Sequence, residues 1–202
     1  MNVGVLASGT GTNLQALLDR VHGRDGVSIV AVGSDRTEAP ALARARAAGV
    51  EAASFPAERF ASREERDRAM AEWLVSRRVE LVVLAGYMQL LSEGFLRRFP
   101  DRVINVHPAL LPAFPGLHAV EQAVSYGVKV FGVTVHFVDE GVDSGPVILQ
   151  RAIELPDAGD AEAVLARLHP IEYELLPEAV GLIARGAVAL DPGNPRRVVI
   201  ER

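Results

Sequence analysis

At 202 residues the chain is long enough to bury one sizeable core and short for two independent domains, so a single domain is expected. Hydrophobic residues at 49% and charged residues at 23% give a globular composition and no case for global disorder. The 21 Lys and Arg against 26 Asp and Glu leave a net charge of -5, which excludes a general basic surface for nucleic acid and points to a small-molecule partner.

With no cysteine, disulfides and thiolate metal sites are ruled out. Met1 leads straight into the first apolar run without a charged leader, and no apolar run is long enough to span a bilayer. A soluble cytoplasmic protein with no membrane partner is therefore expected.

Val3 to Ala7 is a compact apolar run that ends in Ser8-Gly9-Thr10-Gly11-Thr12, after which Leu14, Leu17, Leu18 and Val21 recur at helical spacing. This reads as strand, loop and helix, with Thr12 and Gln15 placed as a capping box. The pattern repeats with a strand over Val27 to Gly33, a helix over Ala39 to Ala48 closed by Gly49, and an extended Val50 to Phe55. A helix follows from about Ser62 to Arg77. Leu81 to Ala85 has the continuous apolar character of a central parallel strand covered on both faces. Such alternation predicts a parallel sheet with crossover helices.

Arg102 to Asn105 reads as the end of a short strand that opens into the Pro108 to Pro115 loop. Beyond it the sequence predicts a helix over Ala119 to Tyr126, a strand over Lys129 to Val138, and another over Val147 to Leu155. Strands joined without helices suggest antiparallel members. Asp160 to Arg185 reads as a helix bent or interrupted near Pro170 and Pro177, and Val188 to Leu190 with Val198 to Ile200 as a small terminal ribbon. The predicted fold is thus a single-domain, Rossmann-like α/β fold: a mostly parallel twisted sheet, helices on both faces, and antiparallel strands toward the C-terminal part.

In open α/β sheets ligands bind beyond the carboxyl ends of the strands, which is where Asn105 and His107 stand. Period-two alternation puts the two on the same side of an extended chain. With Asp143 of Asp143-Ser144-Gly145-Pro146 they supply a carboxamide, an imidazole and a carboxylate. Those groups can hold an acyl oxygen, steady a developing charge and move a proton. The same residues could instead close a turn and satisfy loop backbone, and residue type alone leaves both readings open.

The Ser8 to Asn13 loop offers backbone N–H groups and a positive helix end to an anion. It lacks the Gly-Lys-Ser/Thr of a P-loop, and Leu14 stands where a dinucleotide fingerprint needs a small residue, so a phosphate monoester fits best. A plain tight turn is the alternative. Of the other histidines, His118 is a polar candidate, His136 reads as a hydrogen-bonded structural residue inside a β-branched strand, His22 as a helix end, and His169 lies beside Pro170. The five show no metal spacing, and no metal is expected. The run Arg63 to Arg68 reads as a solvated helix face, with Arg63 alone a candidate ligand for an acidic cosubstrate.

Val5-Leu6-Ala7-Ser8-Gly9-Thr10-Gly11-Thr12-Asn13-Leu14-Gln15, Leu84-Ala85-Gly86-Tyr87-Met88, Asn105-Val106-His107-Pro108-Ala109-Leu110-Leu111-Pro112 and Phe114-Pro115-Gly116-Leu117-His118, with Thr134 to Val138 and Asp143 to Ile148, together resemble the folate-dependent phosphoribosylglycinamide formyltransferases. The resemblance runs from Met1 to about Ile183. It implies transfer of a formyl group from 10-formyltetrahydrofolate to the glycyl amine of glycinamide ribonucleotide, in purine biosynthesis. It implies one formyltransferase domain over residues 1–202, in which residues 1–100 are the ribonucleotide-phosphate half and 101–202 the catalytic and folate half. Gly11, Thr12 and Asn13 match the positions that bind the ribonucleotide, chiefly its phosphate, and Glu172 one that holds its sugar. Arg63, Met88, Gln89, Leu90, Leu91, Asn105, Asp139, Glu140, Gly141, Val142 and Asp143 match the folate site, and Asn105, His107 and Asp143 the catalytic trio.

Two positions depart from the family pattern: Gln89 stands where many members carry arginine, and His169 replaces a longer polar side chain. The expected assembly is a monomer or homodimer. Three rivals share parts of the pattern. Methionyl-tRNA formyltransferases add a tRNA-binding domain for which 202 residues leave no room, and formyltetrahydrofolate hydrolases usually begin with a regulatory domain. A non-catalytic nucleotide-binding module would leave the trio as ordinary loop chemistry.

Overall fold

The computed structural model describes residues 1–201, in two compact units, Met1–Asn105 and Val106–Arg202. In the first unit, β1 (Asn2–Leu6), β2 (Ser28–Ser34), β3 (Glu51–Ser54), β4 (Leu81–Leu84) and the start of β5 (Val103–His107) pair in the order β3-β2-β1-β4-β5. Every one of these pairings is parallel. The central strands β1 and β4 are buried almost throughout, as a parallel sheet covered on two faces requires. The crossovers are α1 (Thr12–Arg20), α2 (Pro40–Ala47) and α3 (Arg63–Ser76), with the short α4 (Glu93–Leu96) leading into β5. Ser62 caps α3 by accepting from the Glu65 N–H at 3.1 Å, and Ser92 caps α4 in the same way.

In the second unit α5 (Ala119–Tyr126) precedes β6 (Val130–Phe137) and β7 (Val147–Glu154), which pair antiparallel. The chain continues through α6 (Ala161–Ala184) to a two-stranded ribbon of β8 (Val188–Asp191) and β9 (Asn194–Ile200). Helix α6 packs on β6, β7 and α5, and its Leu168, Leu175, Leu176, Ala179 and Val180 are buried. The fold is therefore α/β and mostly parallel, with antiparallel strands toward the C-terminal part, as predicted.

Three expectations are corrected. Helix α6 runs uninterrupted through Pro170 and Pro177; a proline inside a helix costs about 3 kcal/mol, which one buried Leu side chain at about 1.5–3 kcal/mol nearly offsets and α6 has several. Helix α1 begins without the capping box. Its cap is Gly11, in the left-handed region at φ 73, with no side-chain cap bond, and the Gln15 amide turns instead to Asp19 at 2.9 Å and Arg44 at 3.1 Å.

The third concerns Arg63 to Arg68, which is not a solvated face throughout. Arg66 is 3% exposed and Asp67 fully buried. Arg66 grips one Asp67 oxygen with Nε at 3.0 Å and Nη2 at 2.9 Å, so each buried charge answers the other.

Candidate active site

The loop after β1 owes its shape to its carbonyls. The Gly9 carbonyl accepts from the Ala41 N–H at 3.2 Å, that of Thr10 from Arg44 Nε at 2.8 Å, and that of Gly11 from the Gln15 N–H at 2.9 Å. Because a trans peptide points its C=O and N–H in opposite directions, these anchors turn the Thr10, Gly11 and Thr12 amides the other way. Gly11 is required twice over: its φ is positive, and a Cβ there would lie 2.8 Å from the Ala41 Cα. The result is a row of donors at a helix start, suited to a phosphate.

Two other candidate segments belong to this unit. Arg63 opens α3 with an exposed side chain 3.4 Å from Glu64. Met88, Gln89, Leu90 and Leu91 form the loop after β4, in which Met88 is 59% exposed and Leu90 57%. Tyr87, at the root of that loop, is buried and its phenol is pushed up strongly, first by desolvation and further by the nearby Asp67 and Asp35 carboxylates, against the opposing Arg66 charge. A cavity of about 550 Å³ lies along α3 and α4, lined by Ser62, Glu64, Arg68 and Arg98 among others, and includes none of the candidate catalytic residues. Asn105 is the third residue of β5, paired in register with Leu84.

In the second unit two side chains and one backbone amide converge on one carboxylate. His107, buried at the end of β5, places Nδ1 3.3 Å from Asp143 Oδ2 and donates from Nε2 to the Phe114 carbonyl at 2.8 Å. His136, on β6, places Nε2 3.5 Å from Asp143 Oδ1 and donates from Nδ1 to the Phe137 carbonyl at 2.8 Å. The Gly116 N–H donates to Asp143 Oδ2 at 2.7 Å. Each imidazole thus faces acceptors with both nitrogens.

Burial is the largest single influence on Asp143 and would raise it. The bonds from His136 and Gly116, with the charges of both histidines, outweigh that and hold the carboxyl at about 2. It is a fixed negative charge near neutral pH.

The backbone around this cluster is built to present it. Asp143 sits at φ 48, in the left-handed region that Asp tolerates better than most residues. Gly145 allows the turn beside it, since a Cβ there would meet the Phe137 carbonyl at 1.8 Å. Asp139 ties the turn from its other end, accepting from the Gly141 N–H at 3.1 Å and from Ser144 Oγ at 2.6 Å. The proline-rich loop is pinned by Thr134, whose Oγ1 donates to Ala109 at 2.6 Å and accepts from the Leu111 N–H at 3.1 Å.

Of the sequence candidates in this unit, His107 and Asp143 are brought together, and Asp139, Glu140, Gly141 and Val142 form the turn leading to Asp143, with Val142 exposed. Glu172 is buried on α6, and His169 stacks on Tyr173 one turn earlier. His22 is structural, accepting from the Ile29 N–H. His118 is exposed at the start of α5, 3.3 Å from Glu121. His136 is the residue that sequence reasoning undervalued; the polar pair Thr134 and His136, two apart on one strand face, was the available signal.

Among the described residues no cluster of three or more His, Cys, Asp or Glu has a metal-holding arrangement, and no helix is long and apolar enough to cross a membrane.

The chain is similar to known proteins over most of its length. The formyl transferase family matches residues 1–180. The phosphoribosylglycinamide formyltransferase of Bacillus subtilis is 38% identical over 190 residues, which cover 92% of this chain and 97% of that protein. The trifunctional purine biosynthetic protein adenosine-3 of Drosophila melanogaster is 40% identical over 193 residues, 94% of this chain, and the chain spans only 14% of its length. The crystal structure of glycinamide ribonucleotide transformylase 1 from Symbiobacterium toebii superposes with a TM-score of 0.95 at 46% identity, covering 100% of this chain and 94% of that one. The match extends well beyond half of the chain and includes the loop after β1, β5 and the turn at Asp143, so the chain belongs to the formyl transferase family.

Proposed function

We propose that this chain transfers the formyl group of 10-formyltetrahydrofolate to the glycyl amine of glycinamide ribonucleotide, giving N-formylglycinamide ribonucleotide and tetrahydrofolate in purine biosynthesis. The observation that carries the reading is the imidazole–carboxylate pair of His107 and Asp143 at a strand end, with Asp143 held ionised. Its substrate assignment is supported by the names of relatives that match nearly end to end, such as the B. subtilis protein.

In this reading Gly11, Thr12 and Asn13 hold the ribonucleotide, its phosphate on the amides aimed by the anchored carbonyls, and Glu172 takes its sugar. Folate is held by Arg63, by Met88 to Leu91, and by Asp139 to Asp143. Exposed Met88, Leu90 and Val142 suit the flat apolar faces of a pterin, and Arg63 a carboxylate tail. The cosubstrate supplies a formyl group already activated on nitrogen.

As the amine attacks, negative charge develops on the formyl oxygen. Asn105 donates to it through its carboxamide, and His107 through Nε2–H, which exchanges the Phe114 carbonyl for the formyl oxygen. Asp143 keeps the His107 ring oriented and compensates its positive charge, and the trio passes the proton lost by the amine toward the departing folate nitrogen through water. We further propose that the chain acts in the cytoplasm, as one domain, without a metal.

Purified protein given both substrates in the presence of a chelator should release tetrahydrofolate and N-formyl product in equal amounts. Folate alone should be deformylated far more slowly, because the amine must be positioned before attack becomes efficient. Equal deformylation with the ribonucleotide left out would establish a hydrolase instead.

A further inference from the structure

The loop that carries Met88 to Leu91 is fixed at both ends by side chains outside the proposed ligand contacts. At its root the Ala85 N–H donates to Leu6 at 2.8 Å, and the Ser8 N–H to Gly86 at 3.0 Å, which continues the pairing of β1 and β4 past the strands. The Ser8 hydroxyl, buried with its residue at 4% exposure, then accepts from the Met88 N–H at 2.9 Å. At the far end the Ser92 N–H donates to Asp67 Oδ2 at 2.6 Å, and Arg66 holds the other Asp67 oxygen. Gln89, Leu90 and Leu91 are suspended between those two anchors.

Ser8 is also the first residue of the proposed phosphate loop, ahead of the Gly11 to Asn13 contacts. One side chain therefore sets the second loop from the root of the first. A loop with exposed apolar side chains pays conformational entropy when it orders around a ligand, and anchors that order it beforehand reduce that cost.

We propose that Ser8 is a positioning residue for the folate cosubstrate: its hydroxyl holds the Met88 amide and so presents Met88 to Leu91 in the conformation that binds, with Asp67 as the second anchor. The inference rests on the folate reading of that loop given above. It touches neither substrate through the Ser8 side chain. The effect is accordingly expected in cosubstrate binding and not in the chemical step.

The test is Ser8→Ala, which removes the acceptor but keeps the backbone bond to Gly86. The KM for 10-formyltetrahydrofolate should rise about tenfold, as loss of one buried hydrogen bond worth about 1.4 kcal/mol implies. The kcat and the KM for glycinamide ribonucleotide should change less than about threefold. Hydrogen exchange should quicken at the Tyr87 to Leu91 amides and stay unchanged in α1. An unchanged folate KM, or equal rises in both KM values, overturns the positioning role. Unchanged exchange in the loop overturns the anchor itself, whatever the activity. Failure of the wild-type chain to use the folate overturns the underlying reading, and the exchange measurement keeps that outcome separate from the fate of the anchor.

Discussion

The loop after β1 and the cluster around Asp143 both manage negative charge, and they do so with opposite materials. In the loop, main-chain amides of Thr10, Gly11 and Thr12 are aimed by anchored carbonyls, so the phosphate of the proposed substrate would meet a fixed row of neutral donors. In the cluster the anion is the protein's own carboxylate, fixed at φ 48 and held by two imidazoles and one amide. A site made of backbone depends on what a residue lacks, namely a Cβ. A site made of side chains depends on what each residue carries.

That contrast can be broken most sharply at Asp143. Asp143→Asn keeps the size of the side chain and tolerates the same backbone conformation, but removes the charge. Turnover should fall by roughly two or more orders of magnitude while folate affinity, measured by direct binding, stays within a few fold. Matched losses in the two would make the residue structural.

The same variant tests the electrostatics through stability. The native carboxyl titrates at about 2, below its ordinary 3.8, so ionised Asp143 stabilises the fold fully above 3.8 and loses that contribution as pH falls through about 2. The stability advantage of wild type over Asp143→Asn in urea denaturation should therefore shrink, by on the order of 2 kcal/mol, between about pH 5 and pH 2. A difference that stays constant over this range would mean that the carboxylate is not held by its neighbours.

In the backbone site the matching change is Gly11→Ala. The added methyl meets Ala41 and is forced into a positive φ, so the KM for the ribonucleotide should rise about tenfold with the folate KM little altered. Equal shifts in both would show a general loosening of the unit and erase the distinction.

The two regions were also unequally legible. Alternating apolar runs and helical spacing revealed the strands of the first unit, because a covered parallel strand such as Leu81–Leu84 has no choice but to be apolar. The glycine loop announced itself by spacing. His107 and Asp143 stood out by residue type and strand-end placement, whereas their meeting is a matter of tertiary structure that spans 36 positions in sequence.

His136 was hidden for the same reason, since a histidine among β-branched residues looks alike whether it serves a backbone carbonyl or a carboxylate, and here it serves both. The capping box failed because Gln15 had stronger partners in Asp19 and Arg44, one of them on another helix. Arg66 and Asp67 read as solvated because a charge pattern does not reveal that two neighbours will be buried as a pair.

That pair has a consequence for how the sequence can change over generations. Losing Arg66 alone strands a carboxylate in the interior, and losing Asp67 alone strands a guanidinium and leaves the Ser92 amide without its acceptor. Single substitutions at either position are therefore dead ends of comparable depth, while a double replacement by apolar residues removes both charges at once and is left with a single orphaned amide. The two positions should drift together or not at all, with sign epistasis between them.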